Sequence, residues 1–142
     1  MACFDVLREL RPSIVRERFL DDLARMAREG FQLVALWEGD AVRAVAGVRH
    51  MEMFSTGPIV YVDDLVTAQA HRSRGYGKQL LAFLKQYAAS LGAHYLELDS
   101  GTRRVEAHRF YRREGLEEVA LHFSAPLGER VTWSEPPASL SG

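Results

Sequence analysis

Hydrophobic and polar positions change period several times along the chain, and each change marks an element. Residues Phe4 to Leu10 predict a short helix, closed by Pro12. Phe19, Leu23, Met26 and Ala27 then recur on one apolar helical face, with Arg and Asp opposite and Gly30 placed to stop the helix. Gln32 to Glu38 alternates weakly and is rich in Leu, Val and Trp. Gly39-Asp40 predicts a tight hairpin turn, and Ala41 to Met51 returns as a longer strand. A loop over Phe54 to Pro58 leads into Ile59 to Thr67, whose β-branched and aromatic residues read as a buried strand.

After that strand the period becomes helical. Leu80, Leu81, Leu84, Tyr87, Ala88 and Leu91 share a spacing that predicts a helix from Lys78 to Leu91, and Gly92 ends it. His94 to Asp99 alternates again as a strand. Strand, helix, strand argues for a parallel pair at the middle of a sheet that began as an antiparallel meander. A further helix is expected from Val105 to Glu114, stopped by Gly115, and a strand from Glu118 to Ser124. Arg130 to Trp133 reads as a last edge strand and Pro136-Pro137 as part of a frayed tail. With no internal repeat and no long linker, the expectation is one α/β domain over residues 1–142, with its core about 32–124 and a weakly structured tail at 126–142.

Composition narrows the class. A chain of 142 residues, 47% of them hydrophobic, is long enough for one domain with a sizeable core. The net charge of -1 provides no global attraction to nucleic acid or to an anionic membrane. The one cysteine, Cys3, excludes an internal disulfide and points to a reducing cytoplasm. No run is apolar enough to span a bilayer, and no signal-peptide pattern opens the chain. His50, His71, His94, His108 and His122 are scattered without metal-ligand spacing, so no metal is expected.

The chemistry concentrates between the central strand and the helix after it, in Arg72-Ser73-Arg74-Gly75-Tyr76-Gly77-Lys78. A glycine-containing loop opening a helix suits an anion. Free N–H groups and the positive dipole end face the ligand, the glycines let the backbone come close, and Arg72, Arg74 and Lys78 add charge. The loop lacks the glycine spacing and the Ser or Thr of a Walker A motif, and Leu80 stands at the third glycine of a dinucleotide fingerprint. It fits Arg-x-x-Gly-x-Gly, and with its flanking strand and helix it resembles the acetyl-CoA pyrophosphate loop of the GCN5-related N-acetyltransferase (GNAT) superfamily. A second stretch, Ala107 to Leu116, is similar to the superfamily's Ala-x-x-φ-Tyr-x-x-x-Gly-Phe signature, with Leu116 in place of the Phe. The resemblance covers roughly Gln32 to Ser124.

The resemblance implies a mixed, splayed sheet flanked by helices on both faces, with acetyl-CoA as co-substrate in the opening. It implies that Leu65, Val66 and Thr67 offer backbone groups to the pantetheine arm, and that Arg72, Ser73, Arg74, Gly75, Tyr76, Gly77 and Lys78 cradle the pyrophosphate. Tyr111 is the implied general acid, a phenol able to protonate the departing thiolate. The superfamily often has Asn seven residues before that Tyr; this chain has Arg104. The strand that usually opens such domains is not visible ahead of Gln32. The acceptor amine must lose a proton, and Asp63 and Asp64 are costly carboxylates in an apolar strand. Asp64 is slightly favoured as the base, and the equal alternative is that both aspartates cap strand or helix N–H groups or pair with nearby arginines. Glu97 and Asp99 are weaker candidates, Ser100 either binds substrate or turns the chain, and His108 shares a helix with Tyr111.

The expected reaction is transfer of acetyl from acetyl-CoA to a primary amine of a small molecule, peptide or protein. A homodimer is in keeping with how such domains pair. One rival is a non-catalytic acyl-CoA-binding or regulatory module, which would not need Tyr111. Another is a nucleic-acid binder using Arg103, Arg104, Arg109, Arg112 and Arg113. Glu106 and Glu114 offset that cluster, and a solvated helix face is the preferred reading of it.

Overall fold

The computed structural model describes residues 1–128. The chain falls into two compact units, residues 1–98 and the residues from 99 on. The first unit opens with helix α1 (Ala2–Leu10), a 3-10 turn at Arg16–Arg18 and helix α2 (Phe19–Ala27). Strands β1 (Phe31–Glu38), β2 (Ala41–Met53) and β3 (Gly57–Thr67) follow. A second 3-10 turn at Gln69–His71 leads to helix α3 (Tyr76–Ser90) and strand β4 (Tyr95–Leu98).

The sheet order is β1-β2-β3-β4, with the first two pairings antiparallel and β3–β4 parallel. This is the expected meander followed by a crossover. Helices cover both faces, so the central strands read as apolar runs instead of alternating ones. On one face Ala44, Ala46, Val48, Val60 and Val62 pack against Tyr76, Leu80, Leu84 and Ala88 of α3. On the other, Val42, Val45, Val66 and Ala68 pack against Phe4, Val6, Leu7 and Phe19. Burying Leu81 and Leu84 completely contributes on the order of 2 kcal/mol each.

Several boundaries differ from the sequence reading. Helix α3 begins at Tyr76 instead of Lys78, because Gly75 takes the N-cap at φ 82°, ψ 9°, in left-handed space. Strand β3 begins at Gly57, two residues early, and β4 spans only Tyr95–Leu98.

In the second unit, α4 (Val105–Arg113) ends before Gly115 at φ 93°. The strand expected at Glu118 to Ser124 does not form. Val119, Leu121 and Phe123 do alternate, but they are exposed and no described strand pairs with them. Without a neighbour, a strand leaves its backbone donors and acceptors unpaired. The expected edge strand at Arg130 to Trp133 and the Pro136-Pro137 tail lie outside the described residues.

Candidate active site

The loop from Arg72 to Gly75 is exposed and joins the 3-10 turn after β3 to α3. Ser73 holds a left-handed backbone at φ 68°, which is uncommon for a side-chain-bearing residue. No side chain caps the N-terminus of α3, so its first N–H groups have no partner within the helix. A Cβ built on Gly75 meets no atom within 4 Å, so the glycine faces open space. Arg72, Arg74 and Lys78 are exposed around it. Open backbone donors, a helix dipole and three cations together suit a pyrophosphate.

Strand β3 has two dissimilar halves. Ile59 to Val62 pair with β2 on one side and β4 on the other. The parallel pairing stops at Val62–Leu98, and from Asp63 to Thr67 only the β2 side is paired among the described residues. Leu65, Val66 and Thr67 therefore carry backbone groups on an edge that no strand occupies among the described residues. That edge runs toward the loop.

The two aspartates sit where β3 leaves its regular register. Gly47 pairs with Asp64 and Val48 with Val62, so Asp63 is the extra residue of a bulge. Arg49 Nε donates to Asp63 Oδ2 at 2.8 Å, and Arg11 Nε donates to Asp64 Oδ1 at 2.7 Å. Burial pushes the Asp63 carboxyl above its usual range, against the lowering effect of Arg49. Its Oδ1 is buried without a hydrogen-bond partner among the described residues. The Arg49 guanidinium also lies over the Phe31 ring, 5.3 Å from its centroid. These are charges held in place by counter-charges, so removing one partner leaves the other costly.

Behind the loop lies a second polar cluster. The Tyr76 hydroxyl donates to Glu38 Oε1 at 2.9 Å, and Arg43 Nε donates to the same oxygen at 2.9 Å. Those bonds hold the Glu38 carboxyl below its usual range. Arg43 Nη1 also contacts His71 Nε2. A guanidinium only donates, so Nε2 accepts and the ring proton sits on Nδ1. That nitrogen is buried without a partner among the described residues.

In the second unit, Tyr111 lies on α4 and is half-buried, its ring 5.4 Å from that of Phe110. His108 Nε2 donates to the Gly101 carbonyl at 2.7 Å, a packing role within that unit. Asp99 Oδ2 stands 3.1 Å from His122 Nδ1, and Ser100 Oγ is buried without a partner among the described residues. Glu97 is half-buried on β4, in the first unit. Arg109 pairs with Glu106 and Arg112 with Glu118. Those exposed pairs mark a solvated helix face. Cys3 is half-buried, and burial pushes its thiol up, away from nucleophilic use.

Sequence reading missed Arg11, Arg43, Arg49 and His71 as parts of the site. One signal was available for Arg49. Two-residue periodicity places it on the face of Val45 and Gly47, where a charge requires a counter-ion. His71 carried a weaker signal, standing next to Arg72. Nothing local marked Arg11, whose partner lies 53 residues away.

Comparison with known proteins identifies the family. Residues 2–116 match the acetyltransferase (GNAT) family. The chain is 37% identical over 109 residues to the uncharacterized N-acetyltransferase YhdJ of Bacillus subtilis (strain 168), covering 76% of this chain and 77% of that protein. It is 31% identical over 94 residues to the aminoalkylphosphonate N-acetyltransferase of Salmonella typhimurium, covering 66% of this chain and 61% of that one. Among solved structures, the aminoglycoside N-acetyltransferase AAC(6')-Iy in complex with CoA shares the fold. Its TM-score is 0.78 at 15% identity, with 89% of this chain and 87% of that chain covered. No helix among the described residues is long and apolar enough to cross a membrane. The chain belongs to the acetyltransferase (GNAT) family and is an N-acetyltransferase with acetyl-CoA as its co-substrate.

Proposed function

We propose that the enzyme moves the acetyl group of acetyl-CoA directly onto a primary amine carried by a small molecule or a peptide, in the cytoplasm. The observation that carries this reading is the unpaired edge of β3 leading into an uncapped helix N-terminus with three exposed cations. On this reading the backbone of Leu65, Val66 and Thr67 holds the pantetheine arm. Arg72 through Lys78 hold the pyrophosphate. Acetyl-CoA, when bound, supplies an activated thioester. Attack by the acceptor nitrogen forms the C–N bond as the C–S bond breaks. Asp64 accepts the amine proton; Arg11 engages its Oδ1, which leaves Oδ2 for that task. The Tyr111 phenol delivers a proton to the leaving thiolate. The printed activities of the relatives, on an aminoalkylphosphonate and on aminoglycosides, make polar amines the first acceptors to screen.

The test is Tyr111→Phe, followed by release of free thiol with the best acceptor from that screen. Turnover should fall on the order of 100-fold, the usual worth of a positioned acid, while acetyl-CoA affinity stays within about twofold of wild type. Turnover that survives the loss of the hydroxyl removes Tyr111 from the chemistry.

A further inference from the structure

The pyrophosphate loop is held from behind at both ends. His71 is the residue before it, and Tyr76 is the first residue of the helix after it. Both reach the same ion pair on the β1–β2 hairpin, formed by Glu38 at the end of β1 and Arg43 in β2. Tyr76 binds Glu38, His71 meets Arg43, and the rings of His71 and Tyr76 stand edge to face at 6.4 Å. The Arg43 carbonyl also accepts from Ala68 N at 2.8 Å, directly after β3. Between the two anchors, Arg72 to Gly75 are exposed, and two of the four hold left-handed backbone angles. Such a segment would sample many conformations if its ends were free. Pinning both ends to one hairpin reduces the ordering cost paid on binding, which is how preorganisation raises affinity.

We propose that Tyr76, Glu38, Arg43 and His71 form a clamp that positions the pyrophosphate loop and so sets affinity for the diphosphate of acetyl-CoA. The four side chains act through the loop backbone, as positioning residues for the ligand, and take no part in acetyl transfer. The geometry separates two roles for Tyr76. Its ring is buried in the core against α3's neighbours, and its hydroxyl alone belongs to the clamp. The inference rests on the loop being the acetyl-CoA site.

Tyr76→Phe removes the hydroxyl and keeps the ring, so the core stays packed. Acetyl-CoA affinity would be measured by calorimetry, alongside KM, kcat and the thermal midpoint. Losing one hydrogen bond of ordinary net worth should raise the dissociation constant and KM for acetyl-CoA about fivefold. Arg43→Gln should give a similar rise, and the double variant should weaken binding by less than the product of the two, because both changes open one network. A merely structural role would instead lower the thermal midpoint and leave the dissociation constant alone, and that result overturns the clamp. The paired change Arg72→Ala with Arg74→Ala separates the two ideas. If it weakens binding while Tyr76→Phe does not, only the clamp fails. If neither does, the loop assignment fails and the clamp with it.

Discussion

Burial governs Asp63 more than its arginine partner does. Its carboxyl sits above the usual value because desolvation outweighs the Arg49 hydrogen bond. A carboxyl raised in the fold binds protons more readily there than in the unfolded chain. Its favourable contribution is therefore fully present below about pH 3.9, the unfolded value, and is lost as pH rises through the native value. Asp63→Asn removes that titration. The stability of the variant minus that of wild type should climb as pH rises from about 4, whatever its offset from the lost Arg49 pair. Urea unfolding at stepped pH values reads this slope directly, and a flat or falling difference would show that Arg49 has the upper hand.

At the scale of elements, the glycine of β2 beside the bulge in β3 occupies a place with no room for a side chain. A Cβ on Gly47 would lie 2.6 Å from two ring atoms of Phe31 and 3.2 Å from Asp64 Oδ2. Phe31 is buried, so its ring cannot swing out. Gly47→Ala should cost about 1–3 kcal/mol by overpacking, measured as a lower urea midpoint. Shortening the obstacle with Phe31→Leu in the same chain should recover part of that loss. Most elements were legible beforehand because their signals are local. Gly39-Asp40 marked the hairpin, and Leu80, Leu84 and Ala88 marked the buried side of α3. The loop was legible because its glycines and cations adjoin in sequence. Val119, Leu121 and Phe123 misled because alternation encodes a strand's faces but not whether a neighbour exists to pair with it. That Asp63 and Asp64 pair with arginines was one of two readings, but which arginines was not legible for a related reason: only the folded sheet brings Arg11 to Asp64 and Arg49 to Asp63.

For the molecule as a whole, ligand and fold should be linked. A compound that binds only the native state stabilises it by about 2.7 kcal/mol at a hundred times its dissociation constant. For a chain of this size that is a rise of roughly 8 °C in the thermal midpoint. Acetyl-CoA should produce it, and NAD or ATP at the same concentration should not; equal shifts would mean a generic phosphate site. The two-sided core has a different consequence, for how the chain finds its register. In a sheet with one wet face, a slip by one residue would drown apolar side chains and bury polar ones. From Ala44 to Val48, β2 has no polar side chain to misplace. Its faces differ only in bulk, with Ala44, Ala46 and Val48 toward α3 and Val42 and Val45 toward α1 and α2. Along that stretch a slipped strand would still be dry and would fail by misfit, with gaps on one side, crowding on the other and a side chain where Phe31 needs Gly47, while just beyond it the slip would part Arg49 from Asp63. Over the dry middle of β2 the correct pairing is a matter of shape, and the Arg49–Asp63 pair beyond it is the polar check on the same register.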